Sequence, residues 1–473
     1  MQLVYNVKDK PKGIQLLIFA FQQLLAIMAA TIVVPALING NVDGLIAEGK
    51  VAYDAMLYMD PAAALFGAGV GTLVYQLFTK FRSPVFLGSS FAFIGSMTAA
   101  FAGAASAALG YMGIIIGAAC AGLVYVVIAL LVKFVGVGWI NKLMPAAVIG
   151  PTVAIIGLSL SGAAIKDVFS YGPVDGNNAY VMTGNIWVSF ICAMVTLFVV
   201  VICSTYGKKM MKLIPFIIGI LAGYAVAMIF TGIGYAAGVD ALKVIDLTPF
   251  TNLVKGGVGL ETFLRVPEFT FLTAFGVAEG FSWSYVATVA VAYVPVAFVV
   301  FAEHVADHKN LSSIIESDLL EEPGLHRTLL GDGVGSIAGA FFGGCPNTTY
   351  GESVGCVAIT RNASVITITT TAVMAILIAF ISPFVAFLDS IPGCVMGGVC
   401  ITLYGFIAVS GLKMVQKVDL EDNKNLFTVS AILIAGIGGM AMTIGKVTLT
   451  SIACALILGI LVNLVLSKGK KEE

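Results

Sequence analysis

Three carboxylates set in apolar surroundings are the residues of this chain best placed to do chemistry. Glu303 follows an unbroken apolar run in Val299-Val300-Phe301-Ala302-Glu303-His304-Val305-Ala306-Asp307-His308-Lys309. Asp307 lies one helical turn further on and shares its face at i,i+4. Glu352 sits in Cys345-Pro346-Asn347-Thr348-Thr349-Tyr350-Gly351-Glu352-Ser353-Val354-Gly355, where Pro346 and Gly351 argue against one continuous helix. Charge beside lipid is costly and irregular backbone there needs burial in protein or a water-filled cavity, so Glu303 and Glu352 are functional candidates. Two neighbouring buried carboxylates resist ionising together. Such a pair is a natural proton carrier. Carboxylates also accept hydrogen bonds from planar N–H groups, and helix-start amides near Phe91 and Gly351 can donate to carbonyl oxygens. A small, neutral, planar ring with alternating N–H and C=O groups fits that set, although the residues alone do not name it.

His304 and His308, also at i,i+4, raise the alternative of an intramembrane metalloenzyme. Their order is E-H-x-x-x-H rather than H-E-x-x-H, and the remaining histidine, His326, lies in a loop. No metal, no cofactor and no enzymatic activity are therefore expected, which leaves H⁺ as the coupling ion. His308 and Lys309 read as solvated charges at a helix end. A passive channel is disfavoured because nothing resembles a symmetric filter.

The elements that must position these groups are membrane spans. The 473 residues are 59% hydrophobic and 11% charged, with mean hydropathy +1.01 and net charge −1. Soluble domains carry about 25% charged residues, so the chain reads as polytopic, with lipid as its main solvent and no nucleic-acid partner. Its 8 cysteines lie mostly in apolar runs without CxxC pairing and read as small buried side chains. The apolar run from about Gly13 to Ile38 is longer than a signal core and lacks a clear cleavage site, so it reads as the first span.

At roughly 20 apolar residues per span, helices fall near 14–38, 61–79, 85–104, 110–135, 145–164, 185–204, 213–235, 284–308, 326–343, 347–361, 364–387, 392–412, 425–443 and 448–467, about 14 in all. Lys8, Lys10 and Lys12 precede the first span, and Lys468, Lys470 and Lys471 follow the last. Both termini are therefore expected in the cytoplasm. Lys80, Arg82, Lys133, Lys142, Lys208, Lys209, Lys212, Arg361, Lys413 and Lys417 fall in loops on that same side, while the acidic loop 39–60 falls outside. Segment 236–283 is expected to be extracellular. Segment 309–325 is expected to be a cytoplasmic loop with a short helix ending at Pro323-Gly324.

A weak internal echo links the two halves. Ser83-Pro84-Val85-Phe86-Leu87-Gly88-Ser89-Ser90-Phe91-Ala92-Phe93 begins with X-Pro, favours extended backbone, reaches a glycine and then turns apolar, as the stretch at 345–355 does. The two lie at the third span of each half. Paired interrupted segments at matching positions point to a midplane site in an inverted-repeat transporter.

Leu87-Gly88-Ser89-Ser90-Phe91-Ala92-Phe93, Ala302-Glu303-His304-Val305 and Pro346-Asn347-Thr348-Thr349-Tyr350-Gly351-Glu352, with Ala358-Ile359-Thr360-Arg361 following, resemble the motifs of the nucleobase–ascorbate transporter family, closest to its bacterial uracil-transporting branch. The resemblance runs from Gln22 to about Gly445. It implies an all-α polytopic fold of two inverted seven-span repeats, with short antiparallel strands opening spans 3 and 10. It further implies a core domain from residues 1–136 and 284–390 and a gate domain from 137–283 and 391–473, moving elevator-fashion, with a homodimer possible. The expected activity is uracil:H⁺ symport across the bacterial plasma membrane, with a xanthine, guanine or other nucleobase carrier as the alternative. Carried over residue by residue, the resemblance assigns substrate binding to Glu303, Glu352, Phe91, Gly351, Tyr350, Ala30, Ser353 and Tyr404. It assigns proton coupling to Glu303, Asp307 and Glu352. Three departures stand out. Gln22-Gln23 replaces a common Gln-His, Ser353 replaces an asparagine after the motif carboxylate, and Asp307 stands where some members have a histidine. Glu352, where purine-selective members often have Gln, favours uracil over xanthine.

Overall fold

Backbone polar groups among apolar side chains must find partners within the chain, and helix supplies them locally. The computed structural model, which describes residues 3–177, 179–208, 210–276, 280–444 and 447–468, is accordingly dominated by helices. Lys209, Lys470 and Lys471, counted above among the cytoplasmic charges, lie outside the described residues. Among the described residues, 8 helices are long and apolar enough to cross a membrane: Ile14–Ala47, Pro61–Phe78, Ala107–Val135, Ala146–Val168, Gly184–Tyr206, Pro215–Ala237, Trp283–Ile315 and Gly393–Val415. Shorter apolar helices cover Phe91–Ala102, Val365–Ile378, Asn423–Ile437 and Ser451–Ser467. The chain is a multi-pass helical membrane protein.

Two interrupted segments meet in its interior. Strand β1 (Leu87–Ser89) pairs antiparallel with β2 (Asn347–Thr349), with Leu87 opposite Thr349, Gly88 opposite Thr348 and Ser89 opposite Asn347. The ladder extends at both ends, through Ser90 N to Pro346 O (2.9 Å) and Tyr350 N to Phe86 O (3.2 Å). Side chains complete the outer edge. Thr72 Oγ1 accepts from Leu87 N (2.9 Å) and donates to Leu87 O (3.2 Å), and Ser353 Oγ accepts from Phe86 N (3.0 Å). A three-residue strand pair is too short to hold itself in place, so its neighbours must fix it.

Glycines supply the room. Helices Pro61–Phe78 and Leu325–Gly343 cross closely along Gly67 and Gly71 on one and Gly335, Gly339 and Gly343 on the other. A Cβ on Gly67 would lie 2.7 Å from Gly339 O. The Asn347 carboxamide inserts into this crossing and donates to Gly67 O at 3.1 Å, where a Cβ on either Gly71 or Gly339 would overlap it. Gly88 is bare for a similar reason, since the Tyr350 ring lies over it while the Tyr350 hydroxyl donates to Ser89 O at 2.9 Å.

Several local expectations need correction. The first helix continues to Ala47, because Asn39 exchanges hydrogen bonds with Met59 (3.0 and 2.7 Å) and holds the polar extension against the chain. The Trp283–Ile315 helix runs on past His308. The expected short helix ending at Pro323-Gly324 is present as the π-helical stretch Leu320–Gly324, and Gly324, at φ 97°, caps the next helix. The stretch read as one span over 425–443 stops at Ile437. Gly439 (φ 70°) follows, and then β3 (Met442–Ile444) pairs with β4 (Val447–Leu449), where β-branched residues concentrate. In segment 236–283, Arg265 pairs with Asp60, which also accepts from Glu268 N at 3.0 Å and from Ala62 N at 2.8 Å to cap its helix.

The glycine crossing gives a direct test. Gly71→Ala forces the Asn347 carboxamide to move, and overpacking of this kind costs about 1–3 kcal/mol. Thermal unfolding of the purified protein should show clear destabilisation, whereas Gly405→Ala, where a Cβ meets nothing within 4 Å, should be neutral. Equal effects would contradict this packing.

Candidate functional site

Both interrupted segments turn from strand into helix, and the turn is what builds the site. Gly351–Thr360 begins directly after β2, and Phe91–Phe93 leads into Ile94–Ala102 directly after β1. Neither start carries a side-chain cap: Tyr350 and Ser90 occupy the cap positions without capping hydrogen bonds. The N–H groups of Phe91 and Gly351 are therefore not taken by a cap side chain and can meet a ligand.

A cavity of about 370 Å³ lies against these helix starts, a size usual for small-molecule sites. Phe91, Tyr350, Gly351, Glu352, Glu303 and Asp307 line one wall. Ser204, Lys212, Phe216, Phe406, Ile407 and Ser410, from other elements, complete the lining. Glu303 and Asp307 come from the Trp283–Ile315 helix and Glu352 from the first turn of Gly351–Thr360, so three acids from two elements face one hollow. Asp307 is fixed by a 2.9 Å hydrogen bond from Thr349 Oγ1, which couples it to the end of β2. Glu303 and Glu352 are partly exposed, on the cavity.

Ala30, Ser353 and Tyr404 do not line this cavity. Ala30 is fully buried in the core. Ser353 turns inward, where its Oγ accepts from Gln23 Nε2 (2.6 Å) and from Phe86 N (3.0 Å). That hydroxyl joins the first helix, the approach to β1 and the helix carrying Glu352. Tyr404 backs the site from behind Phe91, ring edge to ring face at 5.7 Å.

His308 is not a solvated helix-end charge. It is fully buried, with Nδ1 2.8 Å from His304 O and Nε2 2.7 Å from the Tyr75 hydroxyl. His304 is equally buried, with Nδ1 2.7 Å from Asp332 Oδ2 and Nε2 3.0 Å from Thr328 Oγ1. All four ring nitrogens are thus engaged by protein atoms and turned away from the cavity. Among the described residues no group of three or more His, Cys, Asp or Glu is arranged to hold a metal.

The sequence reading missed Asn310, Thr348 and Lys212 on the lining. Asn310 was within reach, being three residues beyond Asp307 on the same helix face. Lys212 was visible only as a loop charge, since nothing in the sequence brings its turn to the cavity. A second, larger hollow of about 730 Å³ is lined mainly by loop residues 246–265 together with Ser382 and Asp389. It shares no lining residue with the carboxylate cavity and has none of its convergent geometry.

Comparison with known proteins agrees with this architecture. Residues 14–445 match a family model described as "Permease family". The uracil permease of Bacillus subtilis (strain 168) is 36% identical over 473 residues, covering 99% of this chain and 96% of that one. The uracil permease of Escherichia coli (strain K12) is 33% identical over 462 residues, covering 97% and 93%. Among solved structures, the transmembrane domain of a cyanobacterium bicarbonate transporter shares the fold at TM-score 0.55 and 15% identity, covering 96% of this chain and 98% of that one. A murine Solute Carrier 26 anion transporter shares it at TM-score 0.60 and 12% identity, covering 98% and 69%. The chain belongs to this permease family, the nucleobase–ascorbate transporters.

Proposed function

We propose that the protein is a proton-coupled symporter that imports uracil. The observation that carries this reading is the convergence of Glu303, Glu352 and Asp307 with the uncapped helix starts at Phe91 and Gly351 on one small cavity. In this reading the two glutamates accept the ring N–H groups, and the amides of Phe91 and Gly351 donate to the ring carbonyls. Tyr350 closes one side. Glu303 and Asp307, one turn apart, exchange the transported proton, and Thr349 holds Asp307 in position. The names of the relatives in Bacillus subtilis and Escherichia coli support the choice of uracil within the nucleobases.

The wider reading follows the family. About 14 segments form two inverted repeats. Residues 1–136 with 284–390 carry the substrate as a core domain, and 137–283 with 391–473 serve as the gate. The carboxylate wall belongs to the core and the wall of Ser204, Lys212, Phe406 and Ser410 to the gate. The core slides against the gate in an elevator movement. Both termini lie in the cytoplasm in this reading, which the lysine-bearing ends on that side, Lys212 on the cavity among them, support.

Labelled-uracil uptake into vesicles under an imposed pH gradient tests the site. Glu352→Ala should weaken saturable uptake at least about tenfold, the worth of a charge-assisted hydrogen bond. Unchanged uptake with unchanged pH dependence would show the assignment to be wrong, and competition by a panel of bases separates uracil from xanthine or guanine. Asp307→Asn keeps an acceptor for Thr349 but removes the exchangeable proton. It should retain uracil binding and exchange while losing gradient-driven accumulation; accumulation that persists undiminished would remove Asp307 from the coupling. Ser353→Ala should lower thermal stability by about 1–3 kcal/mol by orphaning Phe86 N, yet leave the order of base preference unchanged. A switched preference would put that hydroxyl back at the substrate.

A further inference from the structure

The two faces of β2 are used differently. Thr348 lines the carboxylate cavity, while Asn347 points the other way, into the glycine crossing of Pro61–Phe78 and Leu325–Gly343, where it also lines a small hollow beside Ala107–Val135. There its carboxamide is only half satisfied. Nδ2 donates to Gly67 O at 3.1 Å, which fixes the orientation of the amide, and Oδ1 is buried without a hydrogen-bond partner in the protein. The Tyr125 hydroxyl, from the helix opposite, is likewise buried and unpartnered. Tyr125 and Asn347 are 4% and 2% exposed, so bulk solvent reaches neither.

Both residues line one small hollow, together with Ser336 and Gly333 of the helix Leu325–Gly343. Its volume is about 10 Å³, close to the lower limit for one water molecule, which needs a polar site and about 2–4 partners. The hydroxyl of Tyr125 is a donor, Oδ1 of Asn347 is an acceptor and the hydroxyl of Ser336 can serve as either. One water accepting from Tyr125 and donating to Asn347 and Ser336 would satisfy every orphaned atom facing the hollow. Leaving two such groups unpaired in the interior is costly, about 1–3 kcal/mol each.

We propose that this hollow is a binding site for one structural water, held by Tyr125, Asn347 and Ser336. The water ties the first residue of β2 to two helices that do not touch the substrate cavity. Through β2 it fixes Thr348, Thr349 and the start of the helix bearing Glu352. It acts as the keystone behind the site, and nothing in this assignment depends on which substrate the cavity takes.

A structure of the full chain in lipid, at a resolution that resolves ordered water, reads this out directly. Density for one water within hydrogen-bond distance of Tyr125 Oη and Asn347 Oδ1 is the expected result; an empty hollow, or these two atoms bonded to protein instead, overturns the proposal. Thermal unfolding of Tyr125→Phe, Ser336→Ala and the double variant gives a second readout. Partners of one water are coupled, so the double variant should lose clearly less than the sum of the single losses. Strictly additive losses would mean that no water is shared. Neither outcome depends on transport, so failure here leaves the assignment of the carboxylate cavity untouched, and the reverse also holds.

Discussion

The structure depends on the pairing of two three-residue strands inside a helical membrane protein. Exposed strand edges are costly among apolar side chains, and here side chains answer the outer edge of β1. The ladder pairs β1 with β2, Thr72 and Ser353 take the outer backbone groups, and the Asn347 side chain plugs the glycine crossing alongside. Once that crossing is fixed, the helices that follow the strands must begin in the protein interior. Their first residues, Phe91 and Gly351, then line a common hollow together with the carboxylates.

Much of this was legible in the sequence. Ser83-Pro84 and Cys345-Pro346, each followed by extended residues and a glycine, marked both strands, and Glu303 stood out because an apolar run leads into it. The carboxylates needed no structure to be found, because a charge in a long apolar stretch is conspicuous. What could not be read were the partners contributed from far along the chain. His308 looked like a solvated helix end, yet it is sealed by Tyr75, 233 residues away. The family resemblance assigns Ser353 to the substrate, from its place after the motif carboxylate. Helical spacing turns it about 100° away from Glu352, and Gln23, 330 residues away, claims its hydroxyl. Helix ends were misjudged where polar residues continue a helix, as at Asn39, or where β-branched residues of strands were counted as span, as at Thr443 and Thr448.

The division of labour across β2 connects stability with function. One face presents Thr348 to the cavity, and the other anchors Asn347 among Gly67, Gly71 and Gly339. Thr349 passes the strand's position on to Asp307. A shift at the glycine crossing would therefore reach the carboxylates through covalent and hydrogen-bonded links of only a few residues. The rest of the lining, with Lys212, Phe406 and Ser410, is built from other helices and shares none of these ties.

The account rests on a neutral nucleobase lying between Glu303 and Glu352 against the helix starts at Phe91 and Gly351. A structure determined with saturating uracil tests this most directly. The prediction is ring density in the 370 Å³ cavity, with both glutamates and the two backbone amides within hydrogen-bond distance. Density in the loop-lined hollow near Arg265 and Asp389, or none in the carboxylate cavity, would contradict it.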